Sequence, residues 1–390
     1  MCCCAVLSGE SSNEIKNEMI YCPSCRSADL ALYDEKFEFP ATQKFALQPK
    51  NSGKELYKYL ICKNCGLHFI RNDSKLDLLT LQSQQALRLK EPTDHLEDVS
   101  NIYSKLINSS NSNETKIFGI SYKDDNLLDK LATNKGYSTV KADRNLFDNE
   151  ISLLAQQSHL SLLNDEVQKS KARGYNTYLV ASRCLEHMSL EGLDLLLKGA
   201  SFNGIYVEMG NFYVNDFDNY CLWNERRNYF STQHIAKMFG RYGYFLHSKH
   251  EFGELDPYTC TIWTKNKERG AITSNLSPDN QVETSSIFES CEKVVSGICS
   301  RIQGDKLALF GAGHKGITLA NRLRDAGYLI NLYDGNEALI GQFANEFMIK
   351  DPKLLVNDGL NQTLICAGLA AISKIKASLE KMGYSGTFIN

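Results

Sequence analysis

Two pairs of closely spaced cysteines near the N-terminus constrain this chain more than any other feature of its sequence. Cys22 and Cys25 form the first pair, and Cys62 and Cys65 form the second. A gap of two residues lets both thiolates of a tight turn reach one ion, and zinc (Zn2+) takes four such soft ligands at tetrahedral corners. The alternative is two unrelated turns that carry thiols. The spacing predicts a closed zinc site with no open coordination position, and therefore a structural role.

The composition is that of an ordinary globular protein: 390 residues, 43% hydrophobic and 23% charged, with length enough for two or three domains. The formal net charge of −3 gives no basic field to attract nucleic acid. Scattered thiols among the 13 cysteines are typical of a reducing cytosol. The sequence shows no signal-peptide pattern, and no apolar run approaches the ~20 residues that cross a bilayer. We therefore expect a cytoplasmic protein without nucleic-acid or membrane partners. The oligomeric state and the role of Cys2, Cys3 and Cys4 stay open.

The order of strands and helices predicts an α/β fold class with several domains. Residues 116–120 form an apolar strand, a helix follows, and the next strand leads to Asp143, which is the start of a nucleotide-type fold. A second strand, turn and helix unit lies near the C-terminus. The predicted divisions are a disordered tail at 1–20, a zinc-binding module at 21–73, a Rossmann-like domain at 74–265, a polar linker at 266–284 and a smaller Rossmann-like domain at 285–390.

The C-terminal unit contains a glycine-rich turn between a strand and a helix. Gly311, Gly313 and Gly316 occupy the fingerprint positions, and Asp334 ends the next strand about 20 residues on, as dinucleotide binding requires. The turn predicts a phosphate or NAD(P) at a helix N-terminus, to which Lys315 adds charge. The alternative is a tight turn without a ligand.

Five stretches, taken in order, resemble the zinc-containing, S-adenosyl-L-methionine-dependent sugar C-methyltransferases, which methylate a nucleotide-linked keto-deoxysugar. The resemblance runs from about Tyr21 to the end of the chain. It implies a central methyltransferase domain and a C-terminal turn, including His314, that helps to hold the nucleotide-sugar. The stretches that carry it are the two cysteine pairs with the following Gly-Leu, 183–188, 206–208, 223–231 and 310–319.

The resemblance implies a reaction in which a base removes a proton next to a ketone and the enolate attacks the methyl group. His187 stands where the family has its first histidine, and Glu225 matches the glutamate of the family's catalytic run. Trp223, Asn224 and Arg226 replace a tyrosine and two histidines of that run.

Arg226 is always protonated, so Glu225 or His187 must be the base, while Arg226 can hold a phosphate or the enolate. Trp223 and Asn224 are expected to contact the substrate. Alternatively, His187 simply begins a helix beside Glu186, and Glu225 belongs to a surface salt-bridge patch.

The expected cofactor loop also departs from the family. The alignment puts Gly119, Ser121 and Asp125 at the positions of an acid and two glycines, so Gly119 brings no carboxylate and Asp125 brings an unwanted Cβ and charge. Asp143 is expected on the adenosyl ribose, and Glu208 near the cofactor. Two interpretations remain. The chain transfers a methyl group, or it is a degenerate relative that binds a sugar nucleotide or NAD(P) at the C-terminal turn and performs other chemistry, or none.

Overall fold

The computed structural model describes a mixed α/β protein with three sheets. The linker at 266–284 and the tail at 1–19 lie outside the described residues, and the domain divisions stay a prediction. None of the helices in the described ranges combines enough length and apolar character to span a bilayer. The described residues are 20–40, 45–49, 54–71, 93–107, 114–141, 153–210, 227–251, 258–265, 287–367 and 369–389.

The first sheet is antiparallel and surrounds the cysteine pairs. Its order is β1-β3-β4-β9, with β1 at Leu30–Pro40, β3 at Lys54–Cys62, β4 at His68–Arg71 and β9 at Asn228–Tyr229. Strand β9 comes from the predicted central domain, and it pairs antiparallel with β4. Backbone hydrogen bonds therefore join the cysteine-bearing segment to the middle of the chain.

The second sheet has the order β10-β11-β8-β7-β5-β6. Strands β5 to β8 are parallel, and β11 runs antiparallel between β8 and β10. Because β6 lies on one side of β5 and β7 on the other, the strand order reverses between β5 and β7, where open α/β sheets bind ligands at the carboxyl ends. The strands are β5 at Thr115–Gly119, β6 at Ser138–Val140, β7 at Asn176–Ser182, β8 at Gly204–Gly210, β10 at Phe245–Glu251 and β11 at Tyr258–Thr264.

Helices cover both faces of this sheet. Successive strand residues point to opposite sides, so both faces carry apolar side chains that must be buried. Ile117 packs into one buried cluster and Phe118 into the other. Helices α1 and α2 supply the cluster that contains Ile117, while α3, α4 and α5 supply the other. The helices are α1 at Thr93–Ile107, α2 at Asp125–Lys135, α3 at Leu153–Ala172, α4 at Leu190–Gly199 and α5 at Thr232–Gly240.

The third sheet has the order β17-β16-β12-β13-β15-β14-β2. Its core strands are parallel, whereas β2 (Phe45–Ala46), from the cysteine-bearing segment, pairs antiparallel with β14 (Phe343–Ala344). The other elements are β12 at Lys306–Phe310, β13 at Leu329–Tyr333, β15 at Phe347–Lys350, β16 at Gln362–Ile365, β17 at Thr387–Phe388, α6 at Ile287–Cys299, α7 at His314–Asp325 and α8 at Leu369–Lys381.

Local sequence signals account for the starts of two helices. Ser231 caps α5, and His234 completes a capping box with it. Helix α7 begins at His314, since Gly313 is its N-cap. The 20-residue helix α3 was not predicted. Its apolar residues form no continuous stripe, so periodicity gives little signal there.

Candidate functional site

The four cysteines of the two pairs converge, as their spacing predicts. Their sulfur atoms all lie within 4.8 Å of one another. Cys22 Sγ lies 3.5 Å from Cys65 Sγ, and Cys25 Sγ lies 3.5 Å from Cys62 Sγ. Tetrahedral zinc with bonds of about 2.3 Å needs sulfurs about 3.8 Å apart. The cluster can therefore hold a metal ion.

Each cysteine pair is shaped by a residue in the left-handed conformation directly after its second cysteine. Arg26 has a φ of 65° and Gly66 a φ of 74°. The Arg26 N–H donates to the Cys22 carbonyl, and the Gly66 N–H donates to the Cys62 carbonyl. The two turns are thus built alike. The hydrogen bond to Cys65 and burial raise the pKa of the Cys22 thiol, so a bound cation is what would hold this group as a thiolate.

The cysteine cluster is fastened to helix α5 and the turn after it. His234 Nε2 lies 2.9 Å from the Cys65 carbonyl, and the Ser24 hydroxyl donates to the His234 carbonyl at 2.9 Å. The Arg241 guanidinium donates to the carbonyls of Ser24 and Pro23. These contacts give the cluster an architectural role beside the second sheet.

The crevice between β5 and β7 is organised around Asp124, a fully buried residue. Its Oδ2 accepts the backbone N–H groups of Ile120 at 2.9 Å and Ser121 at 2.8 Å. Its Oδ1 accepts the N–H of Ser182 at 2.7 Å. Burial raises the pKa of Asp124 to about 7, although the three N–H groups oppose the shift. One carboxylate thus closes the loop after β5 and joins it to the end of β7.

Gly119 packs closely against Asp124 and α2, so that a Cβ at this position would force neighbouring side chains to shift. A Cβ on Gly119 would lie 2.8 Å from Cδ1 of Leu128 and 3.0 Å from Cβ of Asp124. It would also lie 3.3 Å from Asp124 Oδ2. The Asp124 carboxylate therefore lies close to the place where a side chain at position 119 would begin, the position at which the resembled family carries its acid.

Lys123 links the same loop to the turn after β7. Its Nζ donates to the Arg183 carbonyl at 2.8 Å and lies 3.4 Å from Nε2 of His187. Arg183 has a φ of 52°, which is uncommon for a residue with a side chain and recurs at functional sites. His187 is buried in the single helical turn Leu185–His187 that follows.

Glu208 lies at the carboxyl end of β8 and is engaged by protein side chains. Arg183 Nε is 3.2 Å from its Oε1, and His95 Nε2 is 3.5 Å from the same oxygen. The Tyr206 hydroxyl lies 3.4 Å from its Oε2, and the Arg183 guanidinium also stacks over Tyr258 at 4.9 Å. This buried network joins the ends of β7, β8 and β11 to α1.

The turn that carries His187 also meets the segment around residue 227. The Arg227 N–H donates to the Glu186 carbonyl at 2.9 Å. The Asn228 side chain donates to the Met188 carbonyl at 2.8 Å. Two stretches separated by about 40 residues in the chain are therefore adjacent.

The C-terminal glycine turn has two glycines that the fold requires and one that it does not. Gly311 has a φ of 110°, and a Cβ there would lie 2.6 Å from the Cys366 carbonyl oxygen. A Cβ on Gly316 would lie 1.7 Å from the Gly311 carbonyl oxygen. Around Gly313, by contrast, none of the described residues comes within 4 Å of an added Cβ. Gly313 is also the N-cap of α7, with no side-chain hydrogen bond capping the helix.

Asp334 serves the turn itself. Its Oδ2 accepts the Ala312 N–H at 2.6 Å and its Oδ1 accepts the Asn336 N–H at 2.8 Å. Burial lowers the pKa of Lys315 to about 8, with the nearby Cys366 thiol opposing the shift. The structure therefore brings the predicted turn residues together at the carboxyl ends of β12, β13 and β16.

Five predicted site residues lie outside the described residues: Asp143, Trp223, Asn224, Glu225 and Arg226. For His314 only the backbone is described. Ser121 lies in the Asp124 loop, where its hydroxyl accepts the Lys123 N–H at 3.2 Å. Sequence reasoning missed Lys123, Asp124 and Arg183. An aspartate three residues after a serine in a loop is a local signal, because its carboxylate readily binds nearby backbone N–H groups.

No family model and no curated protein sequence matches this chain. Among solved structures it is similar to the B. subtilis M1A22 tRNA methyltransferase TrmK, with 12% identity, a TM-score of 0.26, and coverage of 59% of this chain and 94% of that one. It is also similar to D-2-hydroxyisocaproate dehydrogenase, with 8% identity, a TM-score of 0.16, and coverage of 65% of this chain and 62% of that one. At TM-scores this low the likenesses carry no functional argument.

The fold and the cysteine cluster together define the class of protein. It is a mixed α/β protein in which two mostly parallel sheets are consistent with Rossmann-like domains. A cluster of four cysteines near the N-terminus can hold a metal ion.

Proposed function

We propose that this chain is an S-adenosyl-L-methionine-dependent C-methyltransferase that acts on a nucleotide-linked keto-deoxysugar. The observation that carries the proposal is the hydrogen bond from the Arg227 N–H to the Glu186 carbonyl. This bond fastens the chain directly after Glu225 and Arg226 to the turn that bears His187. The resemblance assigns acid–base residues to both stretches, so their adjacency supports a shared site.

The carboxyl ends of β5 and β7 lie where the strand order reverses, which is where open α/β sheets bind ligands. Asp124 and Glu208 support this edge from within, because backbone N–H groups engage the first carboxylate and Arg183 engages the second. Asp143 would hold the ribose, and Gly119 and Ser121 would border the cofactor. When bound, the cofactor supplies an electrophilic methyl group.

In this proposal the chain's own residues prepare the substrate. The resemblance offers Glu225 and His187 for acid–base roles at the carbon next to the ketone, and Arg226 holds the enolate or a phosphate of the substrate. Trp223 and Asn224 contact the sugar, and the glycine turn helps to hold the nucleotide. The cysteine cluster holds structural zinc.

Calorimetry with S-adenosyl-L-methionine tests the cofactor assignment. We expect micromolar binding to the wild-type protein and its loss in Asp143→Ala. Glu225→Gln should abolish methyl transfer while keeping the cofactor affinity. An unchanged rate in Glu225→Gln would remove Glu225 from the mechanism, and no binding to zinc-loaded wild-type protein would contradict the methyltransferase proposal.

A second candidate function is binding of NAD(P), with other chemistry, at the C-terminal glycine turn. The open space around Gly313 and the uncapped N-terminus of α7 favour it, since both allow a phosphate to approach the backbone. Gly313→Ala is the sharper variant here, because Gly311→Ala would also disturb the fold. NAD binding that is lost in Gly313→Ala, in a protein that does not bind S-adenosyl-L-methionine, would favour this candidate. Binding of neither would favour a non-catalytic relative.

A further inference from the structure

We propose that Glu186 is a further catalytic residue, whose carboxylate takes the proton from the carbon next to the substrate ketone. This inference rests on the proposed function and names the base of that site. Glu186 is only 2% exposed, and Oε2 of its side chain has no hydrogen-bond partner among the described residues. The residue lies in the same helical turn as His187, at the carboxyl end of β7.

A buried carboxylate oxygen without a donor is unfavourable for the folded protein, because its desolvation is not compensated. Most buried polar groups in native structures have a partner, so an exception calls for an explanation such as a catalytic role or a ligand. A base needs a lone pair that no protein donor occupies. Oε2 of Glu186 meets that requirement within the part of the chain that the structure describes.

His187 is less suited to this step. Its Nε2 lies 3.4 Å from the Lys123 ammonium, which can only donate. The lone pair of Nε2 in a neutral imidazole is therefore directed at Lys123. Removal of a substrate proton by Nε2 would require that contact to break first.

The side chain of Glu186 interacts electrostatically with Arg183. Burial by itself lowers the pKa of Arg183, but Glu208, Tyr258 and Glu186 outweigh this effect and raise it. Glu186 is thus close enough to Arg183 for their charges to interact. The carbonyl of Glu186 accepts the Arg227 N–H at 2.9 Å, so the backbone at this position is fixed beside residue 227.

The proposed step balances in atoms and electrons. The C–H bond next to the ketone breaks, the proton forms an O–H bond with Oε2 of Glu186, and the electron pair delocalises into the enolate. The enolate carbon then forms a bond to the methyl group of S-adenosyl-L-methionine. The bond from sulfur to that methyl group breaks, and its electron pair stays on sulfur.

Proton exchange in the absence of cofactor tests this step apart from methyl transfer. The probes are nucleoside-diphosphate 4-keto-6-deoxyhexoses with thymidine or uridine, incubated with the full-length protein in D2O and followed by proton NMR. We expect the wild-type protein to exchange the proton next to the ketone. The exchange rate of Glu186→Gln should be lower by a factor of at least about 100. Glu191→Gln, an exposed glutamate in the first turn of α4, is the matched control and should exchange at the wild-type rate.

The outcomes separate this inference from the proposed function. Equal exchange by wild-type protein and Glu186→Gln overturns the role of Glu186 and leaves the methyltransferase proposal standing. No exchange by wild-type protein with either probe contradicts the proposed function, and the role of Glu186 falls with it.

Thermal unfolding provides a second readout that needs no substrate. Gln keeps the shape of Glu186 without its charge, so the variant should be as stable as the wild-type protein or more stable. Glu208→Gln, which breaks the buried ion pair with Arg183, should be clearly less stable. A comparable loss of stability in Glu186→Gln would show that the carboxylate holds the fold and would overturn the inference.

Discussion

The carboxylate of Asp124 accepts the backbone N–H of Ser182 at 2.7 Å, and so one side chain joins the loop after β5 to the end of β7. Burial raises the pKa of Asp124 to about 7 in the folded protein, whereas an unfolded aspartate titrates at about 3.9. Between these two values the folded state binds a proton that the unfolded state does not. The stability contributed by this group is therefore present at low pH and falls as pH rises toward 7, by up to about 4 kcal/mol.

Asp124→Asn should remove this pH dependence. The amide nitrogen of the new asparagine would also face a backbone N–H, and two donors cannot pair. The variant should therefore be less stable than the wild-type protein at every pH. The difference in unfolding free energy should be largest near pH 4.5 and should narrow by pH 7.5, in urea titrations of both proteins. A difference that widens with pH would mean that the folded protein lowers the pKa of Asp124 instead.

The cysteine cluster should bind zinc and depend on it for stability. We expect about one zinc per chain in native mass spectra of wild-type protein and about none in Cys62→Ser, since each thiolate is a ligand in a closed site. Cys299→Ser, at the end of α6, is the matched control and should keep its zinc. Cys62→Ser should also unfold at a lower temperature, because the cluster anchors the contacts of His234 and Arg241. Full zinc occupancy in Cys62→Ser would contradict the four-cysteine assignment.

Two glycines of the C-terminal turn should respond differently to alanine. In Gly316→Ala the new Cβ would collide with the Gly311 carbonyl oxygen, so we expect the unfolding free energy to fall by more than about 2 kcal/mol. In Gly313→Ala the methyl group meets open space, and stability should change by no more than about 1 kcal/mol. If a phosphate binds at this turn, Gly313→Ala should weaken the binding of ADP, measured by calorimetry. Unchanged affinity would exclude close approach of the ligand to Gly313.

Lys315 should make anion binding at the same turn depend on pH. Because burial lowers its pKa to about 8, the ammonium loses its charge as pH rises through that value. The neighbouring group that opposes this shift is the Cys366 thiol. The affinity for ADP should fall by roughly tenfold between pH 7 and pH 9, the size expected for one hydrogen bond to a charged group. Lys315→Met should bind ADP weakly at both pH values. If the wild-type protein binds ADP with the same affinity at pH 7 and pH 9, Lys315 lies outside the site.

Local features of the molecule were accessible from the sequence. The cysteine spacing predicts the metal cluster because two residues suffice to form each turn. The strand Leu329–Tyr333 and the capped helix α5 depend on equally local signals, because hydrophobic periodicity and capping involve residues only a few positions apart.

The tertiary structure alone decided which distant groups meet. Asp124 and Ser182 are 58 positions apart, and the sequence around each residue does not predict the hydrogen bond between them. The pairing of β2 with β14 likewise carries the cysteine-bearing segment onto the third sheet. The packing around Glu186 likewise decides that none of the described residues donates to its Oε2.

The amino-acid sequence by itself therefore determined the four-cysteine cluster, the α/β class and the glycine turn, whose signals are short-range. The three-dimensional fold decided that Gly119 packs against the side chain of Asp124 and that the Lys123 ammonium lies 3.4 Å from Nε2 of His187. It also decided that residue 227 lies beside Glu186. The physical reason is that strand order and register set which loop ends share one edge of a sheet, and this order is a property of the packed chain as a whole.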